Sequence, residues 1–385
     1  MIKISKTLYF ISYLLLFSGA FYSIELMKWF SLIIFGLSVF VFSLFLLIIK
    51  DKKNEFDSRG FLFGLFSLTF LTMIISSVIN KSFDLFFGVL LFFLIFINFS
   101  LFKVNKTVYD FFDKPIKFLF LVISILNFSF GFSIPFNGAF SNPNSLGGIY
   151  AMISFISTGV LLDKTFKSNG KNTDYFLLII ILSSTVFTLV SNSRISFISS
   201  CLCLCLIFIN YMSNSFNFKD GLYLNYRFLK KMIAILVISV LSLTLLWREI
   251  VDIFLKKVLY KMDDGGGVTG GRNEVWNAIF DNSLMFGHGR YSPHLDYFDL
   301  AAHNTFLSIY DQFGWLSCLF FIISILFLVV SFFYNKNIYK YGVTPIFIIF
   351  GFIFLSISES MINKTIMFAF LMIINLSSFR KRDFG

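Results

Sequence analysis

KWFSLIIFGLSVFVFSLFLLIIK, residues 28–50, sets 21 consecutive uncharged residues between two lysines. Coiled as a helix at about 1.5 Å per residue, residues 29–49 are long enough for a hydrocarbon core of roughly 30 Å. No face of that helix is polar, so it suits lipid or a fully enclosed core and does not suit a water-facing surface. Similar apolar runs recur at about 7–24, 61–79, 83–102, 116–134, 146–162, 175–190, 195–212, 231–247, 304–333, 343–357 and 364–378. The 385 residues are 57% hydrophobic, with a mean hydropathy of +0.83. Soluble domains of every class are less apolar than this. The expected fold is an all-α integral membrane protein of about 12 transmembrane helices, a single polytopic domain over 1–385. The run at 304–333 is too long for one straight span, so its first turns are expected to stand outside the bilayer or to tilt strongly.

The basic residues orient this map. With both termini in the cytoplasm, the inner segments hold 22 of the 32 Lys and Arg, beginning with Lys3 and Lys6 and ending with Arg380, Lys381 and Arg382. The short outer loops hold Lys28, Lys81, Arg194 and Lys364, and six more lie in one long outer loop where the positive-inside rule has little force. The net charge of +11 is thus explained by a basic inner face beside anionic lipid, and no nucleic-acid partner is expected. Lys3, Lys6, the apolar stretch Leu8–Phe17 and the small residues Ser18, Gly19 and Ala20 have the form of a signal peptide. With eleven more apolar runs behind it, the expectation is an uncleaved first helix. Cys201, Cys203 and Cys205 fall within one apolar run, where cysteine acts as a small hydrophobe; Cys318 is placed likewise.

Residues 248–303 form the one long loop, expected outside the cytoplasm, and long loops are where function concentrates. IVDIFLKKVLYKM (250–262) has the pattern of an amphipathic helix lying on the membrane surface, and DDGGGVTGG (263–271) breaks it. A second short helix is expected over about 272–285, from Arg272 to the GHGR of 287–290. Gly265, Gly267 and Gly270 match G-x-G-x-x-G, but no buried strand precedes them, so a dinucleotide site is set aside.

All three histidines, His288, His294 and His303, lie in this loop. Histidine is the side chain best suited to proton exchange near neutral pH. HNTFL (303–307) puts His303 where the loop re-enters the membrane, as a proton carrier or as an interfacial cap. A metal site from His294, Asp296, Asp299 and His303 is the sharper alternative, although the spacing matches no recognised zinc motif. Arg194, in SNSRIS (191–196), stands between two apolar runs with almost no loop, either binding an anion between helices or snorkelling to the interface. Arg272 opens a helix, so its guanidinium and the helix N-terminus face the same region, and its planar fork suits a diphosphate. In FNGAFSNPNSLGG (136–148), Asn142, Pro143 and Asn144 form a turn, with Asn144 or Ser145 as the expected cap of the next helix.

Taken in order, these pieces resemble the O-antigen ligase and Wzy polymerase superfamily of bacterial membrane glycosyltransferases. The matching elements are the Asn-Pro-Asn turn at 142–144, Ser193–Arg194, GGRNEVW (270–276) leading to FGHG (286–289), and His303–Asn304 followed by Leu307 and Gly314. The likeness spans roughly residues 136–320; the first four helices match only in being hydrophobic.

The resemblance implies a GT-C-like polytopic bundle in the bacterial cytoplasmic (inner) membrane. It also implies an inverting transferase that needs no metal or other cofactor. The donor would be an oligosaccharide on undecaprenyl diphosphate, and the acceptor a hydroxyl on another lipid-linked glycan. A chain-length regulator is the further partner it suggests. Carried over by position, Arg194 and Arg272 would bind the diphosphate and His303 would deprotonate or orient the acceptor. Asn142, Asn144, Trp276, His288 and Asn304 would line the substrate site, His288 without a defined role. Polymerisation of repeat units into O-antigen or capsule is the favoured activity. Ligation of a finished glycan is the alternative within the family, and a lipid-linked oligosaccharide flippase is the alternative of another class.

Overall fold

The computed structural model describes residues 2–48, 59–100, 108–130, 135–140, 142–167, 174–191, 193–215, 272–292, 302–334, 342–361, 366–367 and 369–371. The apolar run 231–247 and the amphipathic stretch 250–262 lie outside the described residues. Every regular element among the described residues is helical. In chain order these are α1 (Ile2–Phe21), a single 3-10 turn (Glu25–Met27), α2 (Lys28–Ile48), α3 (Arg59–Ile79), α4 (Phe83–Ser100) and α5 (Val108–Phe128). They continue with α6 (Pro143–Lys167), α7 (Tyr175–Val190), α8 (Arg194–Ser215), α9 (Arg272–Asp281), α10 (Thr305–Phe313), α11 (Trp315–Tyr334) and α12 (Thr344–Ser358).

Among the described residues, two helices are long and apolar enough to cross a membrane: α3 over Phe61–Ile79 and α6 over Pro143–Phe166. Shorter apolar stretches lie in α2, α4, α7, α8, α11 and α12. The two long helices differ in setting, since 94% of the apolar window of α6 is buried against 44% for α3. α6 runs through the middle, packed by α5, α7, α8 and α12. α3 packs against α4 and α11, and α1 against α2 and α5.

Close approach makes this possible. A Cβ on Gly159 of α6 would lie 2.7 Å from Thr344 Cα of α12, and one on Gly351 of α12 would lie 2.8 Å from the Phe155 ring of α6. Small residues bring helix backbones together in the same way inside membranes. Around these contacts Ile149, Ile153, Ile156, Val160, Ile348, Ile349 and Phe352 are buried.

α1 starts earlier than the expected 7 and α6 outruns the expected 146–162 at both ends, and three further differences have a visible cause. α5 begins at Val108, eight residues before the expected 116, because its polar entry is folded inward: Phe111 and Phe112 are buried and Asp113 is ion-paired. The run 304–333 is two helices rather than one tilted span, broken at Gly314. Gly314 has φ +90°, and the Met285 carbonyl occupies the space a side chain would need. α9 stops at Asp281 instead of about 285, and Asn282 begins the turn out of it.

The far ends of α5, α6 and α7 are tied by charge. Lys117 meets Asp113 at 3.0 Å and Asp174 at 2.6 Å, while Lys164 meets the same two carboxylates at 2.7 and 2.8 Å. Asp163, buried beside them, caps α12 by accepting from the amides of Val343 (2.5 Å) and Thr344 (3.0 Å) and from the Thr344 hydroxyl (2.5 Å).

Two outcomes follow for stability. Asp163→Ala leaves the Val343 and Thr344 donors without this acceptor, so it should lower unfolding stability by about 2 kcal/mol, measured by thermal unfolding of the purified protein. Burial raises the Asp174 carboxyl, but hydrogen bonds from Lys117 and Lys164, and then from the Leu177 amide, more than reverse this and bring it down to about 2. A depressed carboxyl stabilises the fold above its ordinary value of 3.8, and that contribution is lost as pH falls toward 2. Asp174→Asn should therefore flatten the fall of the melting temperature across that interval.

Candidate functional site

At the opposite end of α6 the chain gathers the segments singled out in the sequence. Asn142 caps α6, its Oδ1 accepting from the Ser145 amide at 2.8 Å. Pro143 is the first helical residue, a position where its missing N–H has no cost. The cap is thus Asn142, in place of the expected Asn144 or Ser145, and Asn144 sits half-buried in the first turn. The preceding loop is held from inside the bundle. The buried Asn127 accepts from the Ala139 amide (3.0 Å) and donates to the Tyr150 hydroxyl (3.0 Å), while the Phe136 amide donates to Val190 O (2.9 Å).

Gly147, one turn into α6, lies directly on the α7–α8 turn. A Cβ there would be 2.5 Å from Ser193 Cβ and 2.8 Å from Ser191 Oγ. Ser193 donates to the Ser196 hydroxyl at 2.8 Å inside the first turn of α8. Arg194, the first residue of α8, has an exposed side chain at this end. The neighbouring Gly148 faces Met361, whose Cε would lie 3.7 Å from an added Cβ.

Met361 carries the connection onward, because its amide donates to Thr305 Oγ1 at 2.8 Å and Thr305 Oγ1 donates to Glu359 O at 2.9 Å. Asn304 caps α10, accepting from the Phe306 and Leu307 amides at 2.9 and 3.1 Å, and its amide nitrogen donates to Ile357 O at 3.0 Å. His303 is thereby held at the junction, with φ +48°, in the left-handed region that non-glycine residues seldom occupy. Its Nδ1 lies 3.6 Å from Glu359 Oε2, and Glu359 is 8% exposed.

α9 brings its own contribution. Arg272 opens that helix, although its side chain lies outside the described residues. Trp276 donates to Ala302 O at 3.2 Å and packs with Val275, Ile279, Ala302, Leu307 and Tyr310. α9 is thus seated on α10, and the residue before His303 is fixed from that side.

FGHG (286–289) does something different. The His288 and Gly289 amides donate to Asp311 O (2.8 Å) and Gln312 O (2.9 Å), and Phe286 O accepts from Ser76 of α3 (2.5 Å) and from Asn80 just beyond it (2.9 Å). The His288 ring lies against Asn282 O, with Nε2 at 2.6 Å. This loop fastens α3 to the α10–α11 break. Of the proposed metal ligands, His294, Asp296 and Asp299 lie outside the described residues.

The structure therefore brings Asn142, Arg194, Trp276, His303 and Asn304 to segments that touch in sequence through Gly147, Gly148, Met361 and Thr305. Glu359 was missed by sequence reasoning. Its signal was present, since it is the sole carboxylate between Asp311 and Asp383 and stands at the end of an apolar run.

Gly147→Val should push α6 away from the α7–α8 turn and cost about 2 kcal/mol, readable as a lower melting temperature of the purified protein. No family model, curated protein or solved structure matches the chain.

Proposed function

We propose that the chain is a polytopic membrane glycosyltransferase of about twelve spans with both termini in the cytoplasm. It polymerises undecaprenyl-diphosphate-linked oligosaccharide repeats into a surface polysaccharide on the outer face of the membrane. The observation that carries this reading is the meeting of the Asn142–Gly148, Ser193–Arg194 and His303–Thr305 segments at one end of the bundle. These segments are far apart in the chain, and they are the ones whose residues suit diphosphate binding and proton transfer.

A membrane setting is supported by the outer faces of the helices. On α3, Phe61, Leu68, Leu71, Ile75 and Val78 are exposed while Leu62, Phe66, Phe70 and Met73 are buried, so the helix is apolar on both sides. Trp29, Phe30, Ile33, Leu37 and Phe40 give α2 a similar outer face. Exposed apolar surface of this extent suits lipid.

In the proposed reaction an acceptor sugar hydroxyl attacks the anomeric carbon of the donor. The bond from that carbon to the diphosphate oxygen breaks, and its electron pair leaves with the diphosphate. Arg194 and Arg272 offset the charge that develops on the leaving group, in the manner of preorganised electrostatic stabilisation. His303 takes the hydroxyl proton. The positioning of the nucleotide-free donor outside the cytoplasm means that the activated leaving group arrives already attached to lipid.

Deletion of the chain in its source strain should leave surface molecules bearing a single repeat unit and no ladder. A full ladder retained on undecaprenyl diphosphate would assign the ligase activity instead, and single units trapped on the cytoplasmic side would assign a flippase. His303→Ala should reproduce the deletion while the protein stays in the membrane; an unchanged ladder would sink the enzyme reading.

A further inference from the structure

We propose that Glu359 is a positioning residue for His303, a buried carboxylate that holds the imidazole with its proton on Nδ1 and its Nε2 lone pair directed at the acceptor hydroxyl. This deepens the reading of His303 as the proton acceptor and rests on it. The two side chains come from distant parts of the chain and stand at ion-pair distance, Nδ1 to Oε2 3.6 Å. The Glu359 side chain is 10% exposed and that of His303 28% exposed, so the carboxylate lies on the inner side of the pair and the ring on the more open side.

The backbone around both residues is stitched together. Asn304 reaches across to Ile357 O, Thr305 donates to Glu359 O, and the Met361 amide returns to Thr305 Oγ1. The Glu359 amide still donates to Leu355 O at 3.0 Å, so the carboxylate leaves from the fixed last turn of α12. His303 itself is kept at φ +48° by the cap that follows it. A non-glycine residue in that region is strained, and the surrounding hydrogen bonds hold it there. These bonds fix the backbone from which the ring and the carboxylate project. Ordinary capping of α10 requires only Asn304 and does not by itself call for a left-handed His303 beside a carboxylate.

The chemistry follows from the pair. A carboxylate on Nδ1–H fixes the tautomer whose Nε2 can accept a proton, and it stabilises the imidazolium formed afterward. The acceptor O–H proton passes to Nε2 as the new glycosidic bond forms and the anomeric carbon–diphosphate bond breaks.

The test uses the full chain in lipid nanodiscs, supplied with lipid-linked glycan extracted from the source strain deleted for it. Glu359→Gln keeps the shape and removes the charge; it should lower kcat about 100-fold and leave KM within about twofold. Glu359→Asp should recover about tenfold of that loss, with melting temperatures recorded for both variants. Wild-type kcat in Glu359→Gln, alongside an inactive His303→Ala, overturns the positioning role and leaves the base assignment standing. Equal losses in both Glu359 variants, tracking a lower melting temperature, also overturn it in favour of a structural role. Activity in His303→Ala overturns the underlying reading itself.

Discussion

The packing of α6 against its neighbours is the constraint on which the remainder of the structure depends. Its apolar window is 94% buried, so nearly every side chain along it meets protein. Gly147, Gly159 and the facing Gly351 set the distance at which the α7–α8 turn and α12 approach it. A single added methyl group at any of these positions would meet atoms closer than van der Waals contact. Dense interiors respond to such an intrusion by moving whole elements, because they lack free volume to absorb it. The consequence is that the two ends of α6 are geometrically coupled to α12 through the same interface.

Through that coupling α12 is secured at one end of α6 while it holds the His303–Glu359 pair of the proposed site at the other. At the far end, Asp163 caps α12 and four charged groups bind α5, α6 and α7. At the near end, the last turn of α12 presents Glu359 to His303, and the first turns of α6 meet Ser193 and Met361. A shift of α12 along α6 would disturb the cap and the His303–Glu359 distance together. Catalytic groups need placement to within a fraction of an ångström, and groups fixed on rigid helix ends satisfy that better than groups on free loops.

Much of the helix order was legible from the apolar runs, since α2, α3, α4, α7, α8 and α12 fall within a few residues of expectation. Local hydrophobicity reports these because each run is long and uninterrupted. The break at Gly314 was not legible in the same way. Its cause is the 284–289 loop pressing Met285 O and Gly287 onto it from a distance in sequence, and periodicity carries no record of such a contact. The early start of α5 was hidden for a related reason, as Asp113 and Lys117 look solvent-facing until their partners Lys164 and Asp174 are known. In the site, residue type pointed to His303, Arg194 and the Asn142 turn. Their assembly through Thr305 and Met361, two residues with no chemical signature of their own, required the fold.

Placement of charge also bears on the choice between enzyme and transporter. The ion-paired groups described above sit at helix ends: Asp113, Lys117, Lys164 and Asp174 at one end of α6, His303 and Glu359 at the other. The middle of α6 carries only small uncharged polar groups, Ser154, Ser157 and Thr158. A carrier that moves a charged headgroup through the bilayer needs polar or charged partners along the path, whereas a transferase needs them where its two substrates meet. Among the described residues these ion-paired groups lie at helix ends, and one end sets a left-handed histidine against a buried carboxylate, the arrangement that the proposed transferase would use at a fixed depth.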